Sequence, residues 1–455
     1  MNTLFTVVLF ILASLAPAVH SLTMISYAND FVDPDYIVSK AFSNYTVEAQ
    51  STVVQWADEL AAQGPWSVMN KSVTPPSGNK HDYMSWAPYS WPDCSNVGNT
   101  SELTPEQIWT TCPYVTRDGL FNPDVRLVND TGAFQALGDA VLYNAIAWVI
   151  TGSANYSQNT AFYVKTWFLN PDTAMNPNLN YAQVQRGPGS MNGTHTGVLD
   201  LKGMAKIVSG LLILRKGKSP DWTTDLDSQM SAWANPYINW LETSPIALEE
   251  AASANNHGTF YYNQLAALKV LVNNMTGAQD VITTYFTKQY LAQISANGEQ
   301  PLEAARTRPY HYRAYNLAAM ITNARLGKYC GYSAWNLKTT NGSTIQTALD
   351  FTLTTSPNGE LASELYPNIA AVGSVYGDPD GKYAAYLKAK DDQYVAQPYF
   401  LWNQPLSDSG LVVTKSGGSS GGSPTKQNGN MASTTPVARW LWGIGSIVWA
   451  ILAVV

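Results

Sequence analysis

The sequence predicts an all-α protein, built as an α/α toroid in which antiparallel helices ring a central cleft. Three observations predict it. Apolar residues recur at helical spacing in one segment after another. These segments are of similar length and follow in series. No strand-type alternation is sustained over more than a few residues. An irregular helical bundle is the plainer alternative, and no heptad run, basic tail or internal repeat points elsewhere.

In chain order, helices are expected over 46–63, 133–151, 156–168, 198–215, 224–242, 257–274, 278–295, 313–326 and 344–355. The second of these spaces Phe134, Leu137, Val141, Ala145 and Trp148 as one helix face does. Helix 198–215 repeats the pattern with Leu201, Met204, Ile207, Val208, Leu211 and Leu214. Between helices run long polar stretches rich in Gly, Pro and Asn, notably 70–131 and 169–196. Loops this long in a compact domain are usually functional, so they are expected over the cleft.

The two ends read as addresses. Residues 4–19 are an apolar run without Lys or Arg, which predicts a signal peptide over 1–21. A membrane anchor is the alternative, but the run is short for a span. Residues 411–439 form a Ser/Gly-rich linker that includes SGGSSGGS at 416–423, and 440–455 are a purely apolar tail. Small residues, polar spacer and terminal tail match a glycolipid-anchor signal, with Asn428, Gly429 or Ser420 to Ser423 as attachment points. The tail is short for a transmembrane helix and no basic residues follow it. This leaves 22–410 as one large domain. It is expected to be secreted, held at the cell surface or wall only through the anchor, and monomeric. Sequons begin at Asn44, Asn70, Asn99, Asn129, Asn155, Asn192, Asn274 and Asn341, in keeping with secretion.

Composition excludes some classes. The 455 residues carry 26 Lys+Arg against 33 Asp+Glu, a net charge of −7, which argues against a nucleic-acid partner. A hydrophobic fraction of 45% with only 13% charged residues argues against global disorder. Of the three cysteines, Cys94 and Cys112 flank a loop-like stretch and are the expected disulfide, with Cys330 buried and inert. His81, His195, His257 and His311 include no i, i+4 pair, and no Cys-x-x-Cys occurs, so no dedicated metal site is expected. Phosphate-loop, dinucleotide and nucleophile-elbow motifs are absent, so no cofactor is expected.

Two segments remain that can carry chemistry. In the first, Asn255, Asn256 and His257 stand just ahead of an apolar helix. An amide and an imidazole there can point into a cleft, where the helix amino-terminus favours an anion. Simple capping is the alternative, and for Asn255 it is the preferred one. In the second, Arg306, Arg308, Tyr310, His311, Tyr312 and Arg313 form a local positive patch. Guanidinium groups bind carboxylates bidentately, and a nearby cation lowers a tyrosine pKa. A solvated loop, or an Arg306–Glu303 structural pair, explains the same residues.

These segments resemble the alginate lyase superfamily of polysaccharide lyases. His81 to Asp93 reads HDYMSWAPYSWPD, similar to the family's H-D-Y-x-S-x-A-P-Y-x-W-P-D stretch. Arg117-Asp118-Gly119, Asn122-Pro123, Met175 to Gln183 and Gly193 to Gly197 follow in the family's order, then NNHGTFY from Asn255 and QPLEAART from Gln300. The resemblance implies an incomplete (α/α) toroid of six or seven helical hairpins. It also implies Asn256, His257, Arg306 and Tyr312 as the catalytic group. Tyr312 follows Arg306 by six positions, which is similar to the glucuronan- and mannuronan-active branch. Two positions depart from the pattern: Ala304 replaces a leucine, and His195 stands inside a run of small residues.

The implied reaction is β-elimination on an acidic polyuronate, either alginate/polymannuronate or glucuronan. Asn256 with His257 or Arg306 neutralises the sugar carboxylate, and Tyr312 serves as acid and base, or as acid with His257 as base. Trp86, Tyr89 and Trp91 are candidates to stack on sugar, with core packing as the equal alternative. Asn180, Gln183 and His195 are candidate substrate contacts. Two other classes compete: a toroidal glycoside hydrolase using a carboxylate pair from Glu249, Glu250, Glu299 and Glu303, and a non-catalytic surface glycan-binding protein.

Overall fold

The computed structural model describes residues 22–27, 31–98, 102–189 and 191–404. The expected signal peptide at 1–21 lies outside the described residues, as do the linker and apolar tail beyond 404.

The chain opens with α1 (Pro34–Ser39) and α2 (Val47–Ala61), then passes through a long segment holding β1 (Met84–Trp86), β2 (Ser90–Pro92), α3 (Pro105–Thr111) and β3 (Tyr114–Thr116). Helices α4 (Asp130–Thr151) and α5 (Ala154–Val164) lead to β4 (Tyr181–Val184) and a 3-10 turn, His195–Leu201. The rest is helical: α6 (Met204–Lys216), α7 (Thr224–Thr243), α8 (Pro245–Ala252), α9 (Asn256–Leu271), α10 (Met275–Thr287), α11 (Tyr290–Gln293), α12 (Pro301–Ala304) and α13 (Pro309–Tyr329). Then come α14 (Ile345–Thr354), α15 (Tyr366–Tyr376), α16 (Lys382–Lys390) and α17 (Pro398–Trp402).

Helices α4, α6, α9, α13 and α15 pack in that order as an inner row. Outer helices cover them: α2 and α5 on α4, α7 and α10 on α9, α14 on α13 and α15, and α16 on α15. Inner helices touch protein on most sides, so they are buried nearly all round. Only His257 and Lys269 of α9 are not fully buried. Helix α4 is long and apolar enough to cross a membrane, but its most apolar window is 72% buried in this core. The inner row also carries polar groups, several of them bonded across helices. Gln264 accepts from the Tyr237 hydroxyl at 2.5 Å and donates to the Val198 carbonyl, and Asn323 donates to the Thr259 carbonyl.

The stretch 70–131, read as loop, is ordered by two small sheets. Strand β1 pairs in parallel with β4, nearly a hundred residues away, and β2 pairs antiparallel with β3. A disulfide joins Cys94 to Cys112 across this layer. Cys330, expected to be buried, is partly exposed; its thiol is nevertheless pushed up to about 11 by its surroundings and is a poor nucleophile. The sequon asparagines that are described, Asn44, Asn70, Asn129, Asn155, Asn192, Asn274 and Asn341, are all exposed.

Candidate active site

One end of the inner row and the β-layer above it enclose a cleft of about 370 Å³. Tyr89 and Asp118 reach it from the β-layer, Gln183 from β4, and His195 from the 3-10 turn. Asn256 and His257 come from the start of α9, Arg306 from the turn after α12, and Tyr312 from the first turn of α13. Asn256, His257, Arg306 and Tyr312 therefore share one cavity.

The start of α9 is built by close approach. The Asn255 side chain caps the helix by accepting from the His257 backbone N–H at 3.3 Å. A Cβ on Gly258 would lie 2.1 Å from the Ser253 carbonyl oxygen, so only glycine lets α8 and α9 meet there. Glu303 then fixes Asn256 from below, accepting from its backbone N–H and from Nδ2, each at 2.7 Å. Burial raises the Glu303 carboxyl above its usual range in spite of these bonds. The Asn256 Oδ1 is buried and has no partner.

The two imidazoles converge on Glu250, whose side chain is 0% exposed. His195 Nδ1 lies 2.6 Å from Glu250 Oε2, and His257 Nδ1 lies 2.7 Å from Oε1. The hydrogen bond to Glu250 raises the His195 pKa above the ordinary imidazole value. Burial alone would raise the Glu250 carboxyl, but the bonds from both histidines hold it below its usual range. His195, Glu250 and His257 are the one group among the described residues with donor atoms near enough to share an ion, within 4.8 Å of one another. Each Nδ1 is already in direct hydrogen bond to the carboxylate.

Arg306 joins the two halves of the site. Its Nη2 donates at 2.8 Å both to Asp118 Oδ1 and to the Tyr312 hydroxyl. Its guanidinium lies 3.9 Å from the Tyr312 ring centroid. Tyr89 Oη is 3.2 Å from Tyr312 Oη. The sequence suggested that a cation would lower the tyrosine pKa. Burial prevails instead, helped by Tyr89, and Tyr312 is raised, with Arg306 opposing only in part. The resting phenol is therefore protonated at neutral pH.

Several expected residues lie elsewhere. Trp86 is buried under the Arg186 guanidinium, 4.0 Å from its ring centroid, and Trp91 donates to the Leu120 carbonyl with Arg117 over its ring. Neither lines the cleft; both hold the β-layer together. Asn180 is outside it too, accepting from Trp240 Nε1. Gln183 lines the cleft, but its amide is held by Asp200 and Thr196. The positive patch is dispersed: Arg308 and His311 turn to Glu364, and Arg313 to Glu299. The proposed Arg306–Glu303 pair does not form, since Asp118 takes the guanidinium. Asp118 is the one carboxylate among the described lining residues. Tyr315 also lines the cleft, and its buried hydroxyl has no partner. Sequence reasoning passed over it, together with the roles of Glu250 and Asp118.

A family model described as Alginate lyase matches residues 67–361. Among solved structures, an alginate lyase from Bacteroides ovatus is similar with a TM-score of 0.72 and 27% sequence identity, covering 83% of this chain and 100% of that one. Alginate lyase A1-III from Sphingomonas species A1 is similar with a TM-score of 0.42 and 14% identity, over 78% of this chain and 91% of that one. The latter likeness is too distant to carry an argument. No curated protein matches the chain.

Proposed function

The chain belongs to the alginate lyase family, and from that premise we propose that it cleaves a β-linked polyuronate by elimination at the cleft around Tyr312. It is a polysaccharide lyase, and its substrate is an acidic polysaccharide. The finer reading is polymannuronate or glucuronan, with Tyr312 as acid and base.

The observation that carries this reading is the 2.8 Å bond from Arg306 to the Tyr312 hydroxyl, in a cleft also lined by Asn256 and His257. Elimination begins by removing the proton at C5 of the sugar. That proton is weakly acidic while the adjacent carboxylate keeps its full charge. Arg306, His257 and the Asn256 amide can donate to this carboxylate, so that it accepts the charge growing at C5. Tyr312 then moves a proton between C5 and the glycosidic O4. In β-mannuronate and β-glucuronate both atoms lie on one ring face, within reach of a single oxygen. Tyr312 rests as a protonated phenol, so it first gives that proton up to solvent. Arg306, already bonded to its oxygen, stabilises the phenolate that then takes the C5 proton and passes it to O4.

The hydrolase alternative needs two carboxylates facing each other across the bond. Glu250 and Glu303 are buried and bonded to histidine and asparagine, Glu299 is paired with Arg313, and Asp118 is paired with Arg306. We further propose that the enzyme works outside the cell, with 22–410 as the catalytic domain and the ends as signal and lipid-anchor sequences. The disulfide suits an oxidising compartment.

The test is to supply purified protein with polymannuronate, polyguluronate and glucuronan. An ultraviolet-absorbing unsaturated sugar end is expected from polymannuronate or glucuronan. A reducing end without that chromophore would overturn the elimination.

A further inference from the structure

His195 and His257 come from different parts of the chain, yet their rings lie 6.1 Å apart, centroid to centroid, over one carboxylate. Glu250 gives one oxygen to each Nδ1. This is hydrogen-bond geometry. An ion would need nitrogen and oxygen each about 2.0–2.2 Å from itself, and the direct 2.6 and 2.7 Å contacts leave it no place between them. With the carboxylate ionised, both Nδ1 atoms carry protons, and both Nε2 atoms are left for other partners. Both rings line the cleft.

We propose that Glu250 is a shared positioning residue, one buried carboxylate that orients both imidazoles and makes His195 a second Nε2 donor, beside His257, to the carboxylate of a bound uronate. The identity of the substrate rests on the lyase reading above, but the arrangement of the three side chains does not. Two rings at this separation suit the two oxygens of one sugar carboxylate, or one oxygen and a neighbouring hydroxyl. The bond to Glu250 also favours the charged form of His195, which is the form that donates through Nε2.

The surrounding charges are few. Glu249 and Glu250 on α8 face His195, with Glu249 Oε1 3.5 Å from its Nε2. Glu250 and Glu303 face His257, and Glu303 also lies within the field of Arg306. From α13, the Tyr315 phenol sits within the field of Glu250. Of these groups only Glu250 is bonded to both rings. Removing its charge therefore acts on both imidazoles together.

The experiment is an imidazole NMR titration of the full-length protein as wild type, Glu250→Gln and Glu250→Asp, joined to pH profiles of kcat/KM. In wild type His195 titrates above the ordinary imidazole value. Glu250→Gln lowers that midpoint by about one pH unit or more, and the alkaline limb of kcat/KM moves down with it. Glu250→Asp, which keeps the charge, recovers part of the shift. His195→Gln raises KM for the cleaved polymer by about tenfold, with a smaller change in kcat. A wild-type His195 titrating at or below the ordinary value overturns the proposal without any variant. So does an unmoved titration in Glu250→Gln, a shift of the acid limb instead, or a stoichiometric divalent ion in wild type that Glu250→Gln loses. The titration needs no turnover. If no polyuronate is cleaved, the lyase reading fails while the titration still decides the role of Glu250.

Discussion

Tyr312 shows how much one oxygen can be asked to do. It accepts from Arg306, shares a bond with Tyr89, and sits where burial keeps its proton on. Tyr312→Phe keeps the ring under the guanidinium and removes only the hydroxyl. The expected result is a loss of kcat of about 10³-fold, with binding of a uronate oligomer nearly unchanged. Steady-state kinetics and calorimetry together check it, and full activity would remove Tyr312 from the chemistry. At this scale the resemblance singled out Asn256, His257, Arg306 and Tyr312, where residue chemistry alone left capping and a solvated loop open. It did not expose their partners. Nothing local marks Glu250 as the acid that faces two histidines, or Asp118 as the one that reaches across to Arg306, because both contacts are made by tertiary structure. For Trp86 and Trp91 the ambiguity was real: an aromatic ring that stacks on arginine and one that stacks on sugar have the same sequence signature.

At the scale of elements, the long inner helices were legible because their apolar content is high and sustained. Helix α13 was expected from 313, yet it begins at Pro309. Proline fits the first helical turn, and Glu360 accepts from the Tyr310 and His311 N–H groups there, a distant cap that no local pattern reveals. Helix α8 was missed because it is eight residues long, and the three-residue strands β1, β2 and β3 were missed because they are too short to alternate. Helices α15 and α16 also went unread. The α8–α9 junction carries a prediction of its own. Gly258→Ala forces the helices apart at the point that aims Asn256 and His257. The expected outcome is a loss of kcat/KM of about 100-fold, with a stability loss of about 1–3 kcal/mol. Kinetics and denaturant melts check it, and wild-type kinetics would mean that the junction tolerates the displacement.

For the whole molecule, a series of helices around a cleft could be read from the sequence, but not which helices are inner and which outer, nor the way the cleft is covered. The expected Cys94–Cys112 bridge is part of that cover, but the cover also depends on β1 finding β4, a pairing between stretches nearly a hundred residues apart. It also depends on Arg306, whose partner Asp118 belongs to the opposite wall. On the proposed mechanism Asp118 is an internal decoy: an aspartate rests on the guanidinium that the sugar acid is to reach. Affinity for the polyuronate is then, on that mechanism, a contest between two rivals for one cation, and the incumbent belongs to the protein itself. Asp118→Asn weakens the incumbent. It is expected to lower KM for the cleaved polymer by about threefold or more while lowering the melting temperature, since the two walls lose their charged link. An unchanged KM would mean that the sugar never displaces it.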